Sequence, residues 1–103
     1  MRRNGLYIAE DISLSMIATT TAIITVRDTN EEGASYLARQ AARDGRLRSL
    51  IRNRSLCEEL TERLGAVIKP GNGRVPQLKP GDELLIPQPS GWRYVRVWAG
   101  MDL

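Results

Sequence analysis

Ala22-Ile23-Ile24-Thr25-Val26 leads into Thr29-Asn30-Glu31-Glu32-Gly33-Ala34-Ser35-Tyr36-Leu37-Ala38-Arg39-Gln40-Ala41, and the change of character between the two decides the fold. The first piece is rich in β-branched residues, which suit a pleated, packed surface, and it reads as a central strand. The second opens with Thr29 and Glu32 at the S/T-x-x-E spacing of a capping box. Leu37, Ala38 and Ala41 then recur at helical spacing, and Gly45 supplies a C-terminal stop. A strand followed directly by an amphipathic helix is the unit from which the rest is read.

On the N-terminal side, Leu6-Tyr7-Ile8 has β character. Ile12-Ser13-Leu14-Ser15-Met16 alternates with period two, which sets Ser13 and Ser15 together on one face. On the C-terminal side, residues 47–51 form a linker or short strand. A second helix begins near Ser55, where Ser55 and Glu58 repeat the capping-box spacing. Leu56, Cys57, Leu60 and Leu64 share its apolar face, and Gly65 ends it. The remainder reads as β: Ala66-Val67-Ile68, a turn at Pro70-Gly71-Asn72-Gly73, a short strand from Arg74-Val75, and a turn at Lys79-Pro80-Gly81-Asp82. Leu84-Leu85-Ile86 is then a buried strand, and Pro89-Ser90-Gly91 turns the chain into a last strand over residues 92–98. In that strand Trp92, Tyr94, Arg96 and Trp98 share a face, expected to lie under a helix or at a subunit interface. The expected architecture is one α+β domain spanning residues 1–103, with a single mixed sheet of about five strands and two main helices.

Composition bounds the chemistry. A chain of 103 residues makes one domain and buries only roughly 60–70% of its surface, so a homodimer is expected. The only cysteine is Cys57, which excludes an internal disulfide, fits a reducing cytoplasm and reads as a core residue. No histidine is present, so imidazole acid–base chemistry is excluded, and no metal or other cofactor is expected. The uncharged stretch over residues 12–26 is rich in Ser and Thr and falls short of the ~20 apolar residues of a membrane helix. A cytoplasmic protein without a membrane partner is expected. Motifs for phosphate-binding loops, dinucleotide binding, serine hydrolysis and zinc peptidases are missing, and no helix-turn-helix pattern points to DNA.

Thirteen of the fifteen basic residues are Arg, the side chain suited to bidentate phosphate contacts. Arg39, Arg43, Arg46, Arg48, Arg52 and Arg54 stand close in sequence against a single acid, Asp44, and read either as a solvated face or as a polyanion site. Arg52-Asn53-Arg54-Ser55 immediately precedes or opens the second helix, where free N–H groups and the helix dipole favour an anion. Capping by Asn53 or Ser55 is the plainer role for that segment. Ser13 and Ser15 could hydrogen-bond a ribose or base, or simply line a solvated strand edge.

The order of these features resembles the small α/β anti-CRISPR ring nucleases of archaeal viruses and phages, across roughly residues 6–88. Ser13-Leu14-Ser15-Met16-Ile17 is similar to a Ser/Asn-rich segment before a Met-Leu pair. Glu31-Glu32-Gly33-Ala34 is similar to the family's Glu-Glu-Ala. Ser49-Leu50-Ile51-Arg52-Asn53 stands where the family has Ser-x-Ile-Gly-His at a helix start, and Leu64-Gly65-Ala66-Val67 matches that helix's end. Asn72-Gly73-Arg74-Val75 resembles Asn-Arg-x-x, and Gly81-Asp82 through Gln88 resembles Gly-Asp followed by an apolar strand and Gln. The resemblance implies a homodimer that holds cyclic oligoadenylate across its two-fold axis and cleaves it without metal, the ribose 2′-hydroxyl acting as nucleophile. It also implies Ser13, Ser15, Arg52, Asn53, Arg54, Ser55, Arg74 and Gln88 as ligand-binding residues.

Two departures shape the expectation. The family's histidine, a general acid, is replaced by Asn53, whose amide hydrogen-bonds but does not exchange a proton near neutral pH. The family's arginine-bearing segment after the apolar strand is shortened to Pro89-Ser90-Gly91. The expected function is therefore capture of a cyclic oligonucleotide messenger of antiviral defence, as a sponge with little or no cleavage and no catalytic residue. An active metal-independent ring nuclease, or a protein–protein inhibitor of a defence complex, is the alternative.

Overall fold

The computed structural model describes residues 4–11, 23–71 and 76–98. Ser13, Ser15, Arg74, the alternating strand expected at Ile12–Met16 and the short strand expected from Arg74 lie outside the described residues. Five strands and two helices follow in order: β1 (Leu6–Ile8), β2 (Ile23–Thr29), α1 (Glu31–Arg43), β3 (Leu47–Ser49), α2 (Arg54–Leu64), β4 (Glu83–Gln88) and β5 (Gly91–Trp98). Among the described residues the strands form one mixed sheet of order β2-β5-β4-β1-β3, and the α+β expectation holds. β1 pairs in parallel with both β3 and β4, whereas β5 is antiparallel to β4 and β2. β1, β2, β3 and β4 therefore all point the same way, and β5 alone opposes them.

Period-two alternation sorts the sheet into two apolar faces. Leu6, Ile8, Leu85, Trp92 and Tyr94 pack with Ala34, Ala38 and Ala41 of α1 and with Cys57, Leu60 and Leu64 of α2. Tyr7, Ala9, Leu84, Ile86, Val95 and Val97 form a second cluster with Leu78 on the other face. The aromatic face of β5 is thus mostly helix packing, as expected. Trp92 and Tyr94 are buried, while Trp98 stays 41% exposed with the Arg96 guanidinium 4.1 Å from its ring centroid. Cys57 is a core residue.

Both capping boxes are displaced from their expected frame. Asn30 caps α1, its side-chain oxygen accepting from Gly33 N at 2.8 Å, and Asn53 caps α2, accepting from Leu56 N at 3.1 Å. In each case Asn outcompetes the hydroxyl residue because its carboxamide oxygen reaches the N3 amide from the residue directly before the first helical turn. Gly65 ends α2 in the left-handed conformation at φ 70°, as a C-terminal glycine stop requires.

Ala66-Val67-Ile68 is not a strand. Its alternating burial is real, but the Thr61 hydroxyl accepts from Ile68 N at 2.9 Å and donates to the Cys57 carbonyl at 2.8 Å, tying the segment to α2 rather than to the sheet. Ile68 then packs in the helix-side cluster and Leu78 in the opposite one, so this connection passes from one face to the other.

Asp82 holds the start of the sheet. Only 4% exposed, it accepts from Gly5 N at 3.0 Å and from Lys79 N at 2.8 Å, closing the Lys79–Asp82 turn onto β1. Hydrogen bonds to a charged group contribute about 1.5–3 kcal/mol each, and a buried donor left without an acceptor is costly. Asp82→Ala is expected to lower unfolding free energy by about 3 kcal/mol in urea titration, more than Asp82→Asn, which keeps one acceptor.

Tyr94 couples β5 to β4. Its hydroxyl donates to Glu83 Oε1, and Glu83 also meets Arg46 at 3.6 Å. Burial, reinforced by the Glu83 carboxylate, pushes the Tyr94 phenol up to about 12. The folded state holds this proton above pH 10, where an unfolded tyrosine releases it, so stability falls as pH rises from about 10 toward 12. Alkaline unfolding followed by phenolate absorbance is expected to show Tyr94 titrating late. Tyr94→Phe removes both that signal and its share of the pH dependence.

Candidate functional site

The common direction of β1, β2, β3 and β4 gathers their C-terminal ends along one edge of the sheet. In open α/β sheets this is the edge at which ligands bind, because helix N-termini follow the strands there. α1 and α2 both begin at that edge, and their first turns differ in charge. Glu31 and Glu32 occupy the first turn of α1, whereas α2 has no acidic residue in its first turn. The positive end of α1 is balanced internally, and that of α2 is open to an external anion.

The local geometry of α2 sharpens this. Asn53 Oδ1 is used on Leu56 N, and the Asn53 carbonyl accepts from Cys57 N at 3.0 Å. The N–H groups of Arg54 and Ser55 have no acceptor among the described residues and are the orphan donors of a helix start. Arg52, Asn53, Arg54 and Ser55 are all exposed, and neither arginine is engaged by a carboxylate among the described residues. Two backbone donors, two guanidinium groups, a hydroxyl and the Asn53 amide nitrogen therefore share one exposed chain segment, with no ion-paired carboxylate among the described residues. These groups suit phosphate and ribose oxygens. Asn53 contributes donors but no titrating proton.

Four of the expected site residues, Arg52 to Ser55, are thus contiguous. Gln88 is not brought into their cluster. It lies at the end of β4, with β1 between β4 and β3, a separation of roughly 10 Å across the sheet. Its amide nitrogen donates to the Pro87 carbonyl at 3.1 Å, and it lines a smaller cleft of about 240 Å³ with Asp28, Ser90 and Arg93.

The arginine stretch from Arg39 to Arg54 is not one patch, which corrects the reading of a single stripe. α1 runs away from the edge described above and β3 returns to it, so Arg43 and Arg46 lie at the opposite end of β3 from Arg52. Arg46 is also neutralised, 3.7 Å from Asp44 and 3.6 Å from Glu83.

A larger groove of about 460 Å³ lies elsewhere, between β3 and the segment after α2. Lys69 and Arg48 border it. Lys69 carries no local sequence signal, because Val67, Ile68 and Pro70 around it read as strand and turn.

No protein-family model matches the chain, and no curated protein matches it. Among solved structures, the chain is similar to B116 of Sulfolobus turreted icosahedral virus, with a TM-score of 0.76 and 17% sequence identity over 93% of this chain and 100% of that one. The likeness extends over essentially the whole of both chains and establishes a shared fold.

Proposed function

We propose that the protein captures a cyclic oligonucleotide, cyclic oligoadenylate being the best fit, at the N-terminus of α2 and holds it without rapid cleavage. The observation that carries this reading is the α2 start itself: two backbone N–H groups and the Arg52 and Arg54 guanidinium groups without an acceptor or carboxylate partner among the described residues, with Asn53 in place of a proton donor. A homodimer brings two such helix starts to one ligand, which suits a ring whose phosphates face outward on both sides. Shared fold with a viral protein is in keeping with a role in countering host defence, where binding alone withdraws the messenger by mass action. Ser13, Ser15 and Arg74, outside the described residues, are further ligand-binding residues in this reading, and Gln88 is set apart from the α2 start.

Capture without cleavage follows from the chemistry of Asn53. A carboxamide lowers the free energy of ground and transition states alike through hydrogen bonds, which favours binding but not turnover. The test is calorimetric titration with cyclic di-, tri-, tetra- and hexa-adenylate. Saturable binding of one ring size, at a stoichiometry of one ligand per two chains, is the expected result. Heat of dilution alone with every ring removes the proposal.

A further inference from the structure

The outer edge of β3 carries unused strand chemistry. Leu6 N donates to the Arg46 carbonyl at 3.0 Å and Leu50 N to the Ile8 carbonyl at 2.8 Å. In a parallel ladder, residues alternate between facing the neighbour strand and facing away. Arg46, Arg48 and Leu50 therefore face β1, and the N–H and C=O groups of Leu47 and Ser49 face outward. None of them has a hydrogen-bond partner across that edge among the described residues. Gly71 closes one end, since a Cβ on it would stand 2.6 Å from the Ser49 carbonyl oxygen. Among the described residues, Leu47 N–H, Leu47 C=O and Ser49 N–H have no partner.

These groups face the groove of about 460 Å³, a volume in the range of ligand pockets. Its far wall is Val67, Ile68, Lys69 and Pro70, with Val67 66% exposed. Arg48 and Lys69 are its charged lining residues, and no carboxylate lines it. Backbone donors and acceptors on one side, apolar side chains on the other and cations at the rim match an extended peptide.

We propose that this groove binds an acidic peptide segment of another protein, which adds as an extended strand to the outer edge of β3. Main-chain hydrogen bonds to Leu47 and Ser49 supply the affinity, Val67 and Pro70 cover the apolar side chains, and Arg48 and Lys69 select acidic over basic sequences. The site is separate from the α2 N-terminus, and it stands or falls independently of nucleotide capture.

The test uses the full chain and fluorescein-labelled peptides of alternating Val and Glu, alternating Val and Lys, and the Val/Glu peptide with alternate amides N-methylated. Fluorescence anisotropy is expected to show salt-sensitive binding of the Val/Glu peptide alone. Lys69→Glu, an exposed substitution checked for fold by circular dichroism, is expected to weaken that binding about tenfold and to admit the Val/Lys peptide. Equal binding of acidic and basic peptides, indifference to N-methylation, or displacement of nothing but a single-stranded oligonucleotide overturns the proposal.

Discussion

Substituting Arg52 and Arg54 together with Ala is expected to weaken binding of cyclic oligoadenylate by at least about 100-fold while leaving the fold intact. Each guanidinium contributes charge-assisted hydrogen bonds of about 1.5–3 kcal/mol, and about 1.4 kcal/mol is a factor of ten in affinity. The proposed homodimer would present each arginine twice, which compounds the loss. Neither side chain is buried or engaged by a carboxylate among the described residues, so thermal stability is expected to change by no more than about 0.5 kcal/mol. Arg43 and Arg46 supply the control. Both lie in the same arginine-rich stretch but at the far end of β3, so Arg43→Ala is expected to leave affinity nearly unchanged. Calorimetry on the two variants separates a localised anion site from a general effect of positive charge.

Asn53→His is the second large effect, and it acts in two directions. The imidazole supplies the proton that a leaving ribose oxygen needs, and general acid catalysis is worth about 10²–10⁴-fold. Linear oligonucleotide is expected to accumulate faster by that order, measured by chromatography of the reaction mixture. The same substitution removes the Asn53 side-chain bond to Leu56 N, and loss of such a cap costs about 0.5–2 kcal/mol. A gain in cleavage accompanied by a drop in melting temperature identifies Asn53 as the residue that exchanged chemistry for capping. A drop in stability with no cleavage leaves only the cap.

Much of the fold was legible in the sequence because its signals are local. The β-branched run at Ala22–Val26 marks β2, although among the described residues β2 is a largely exposed edge strand and not the central strand expected, and the spacing of Leu37, Ala38 and Ala41 marks α1. β2 extends to Thr29, beyond that run, because Arg27, Asp28 and Thr29 pair with Tyr94, Arg93 and Trp92 of β5. No local pattern announces a pairing partner more than sixty residues away. The α1 cap was misframed by one residue because Thr29 fits the motif in sequence while Asn30 fits it in space, and at α2 the cap is Asn53, one of the two residues the sequence offered, although the capping-box spacing pointed to Ser55. Ala66–Ile68 was misread because strand-like alternation arises equally when a segment lies along a helix and is tied to one hydroxyl.

The candidate site divides in the same way. Arg52 to Ser55 are covalent neighbours at a helix start, so their convergence follows from local structure. The separation of Arg46 from Arg52, and of Gln88 from Asn53, depends on the strand order β2-β5-β4-β1-β3. Periodicity carries no information about strand order, so the closeness in sequence of Arg39 to Arg54 merged two ends of the sheet into one candidate polyanion site.

The most direct measurement is the fate of the bound ligand. The protein is incubated with cyclic tetra-adenylate for hours, denatured, and the released nucleotide resolved by chromatography. Recovery of the intact ring, retained by native protein and lost from the Arg52→Ala/Arg54→Ala variant, is the expected result. Linear product at a rate that consumes the ligand, or a ring that never co-elutes with native protein, contradicts capture at the α2 N-terminus.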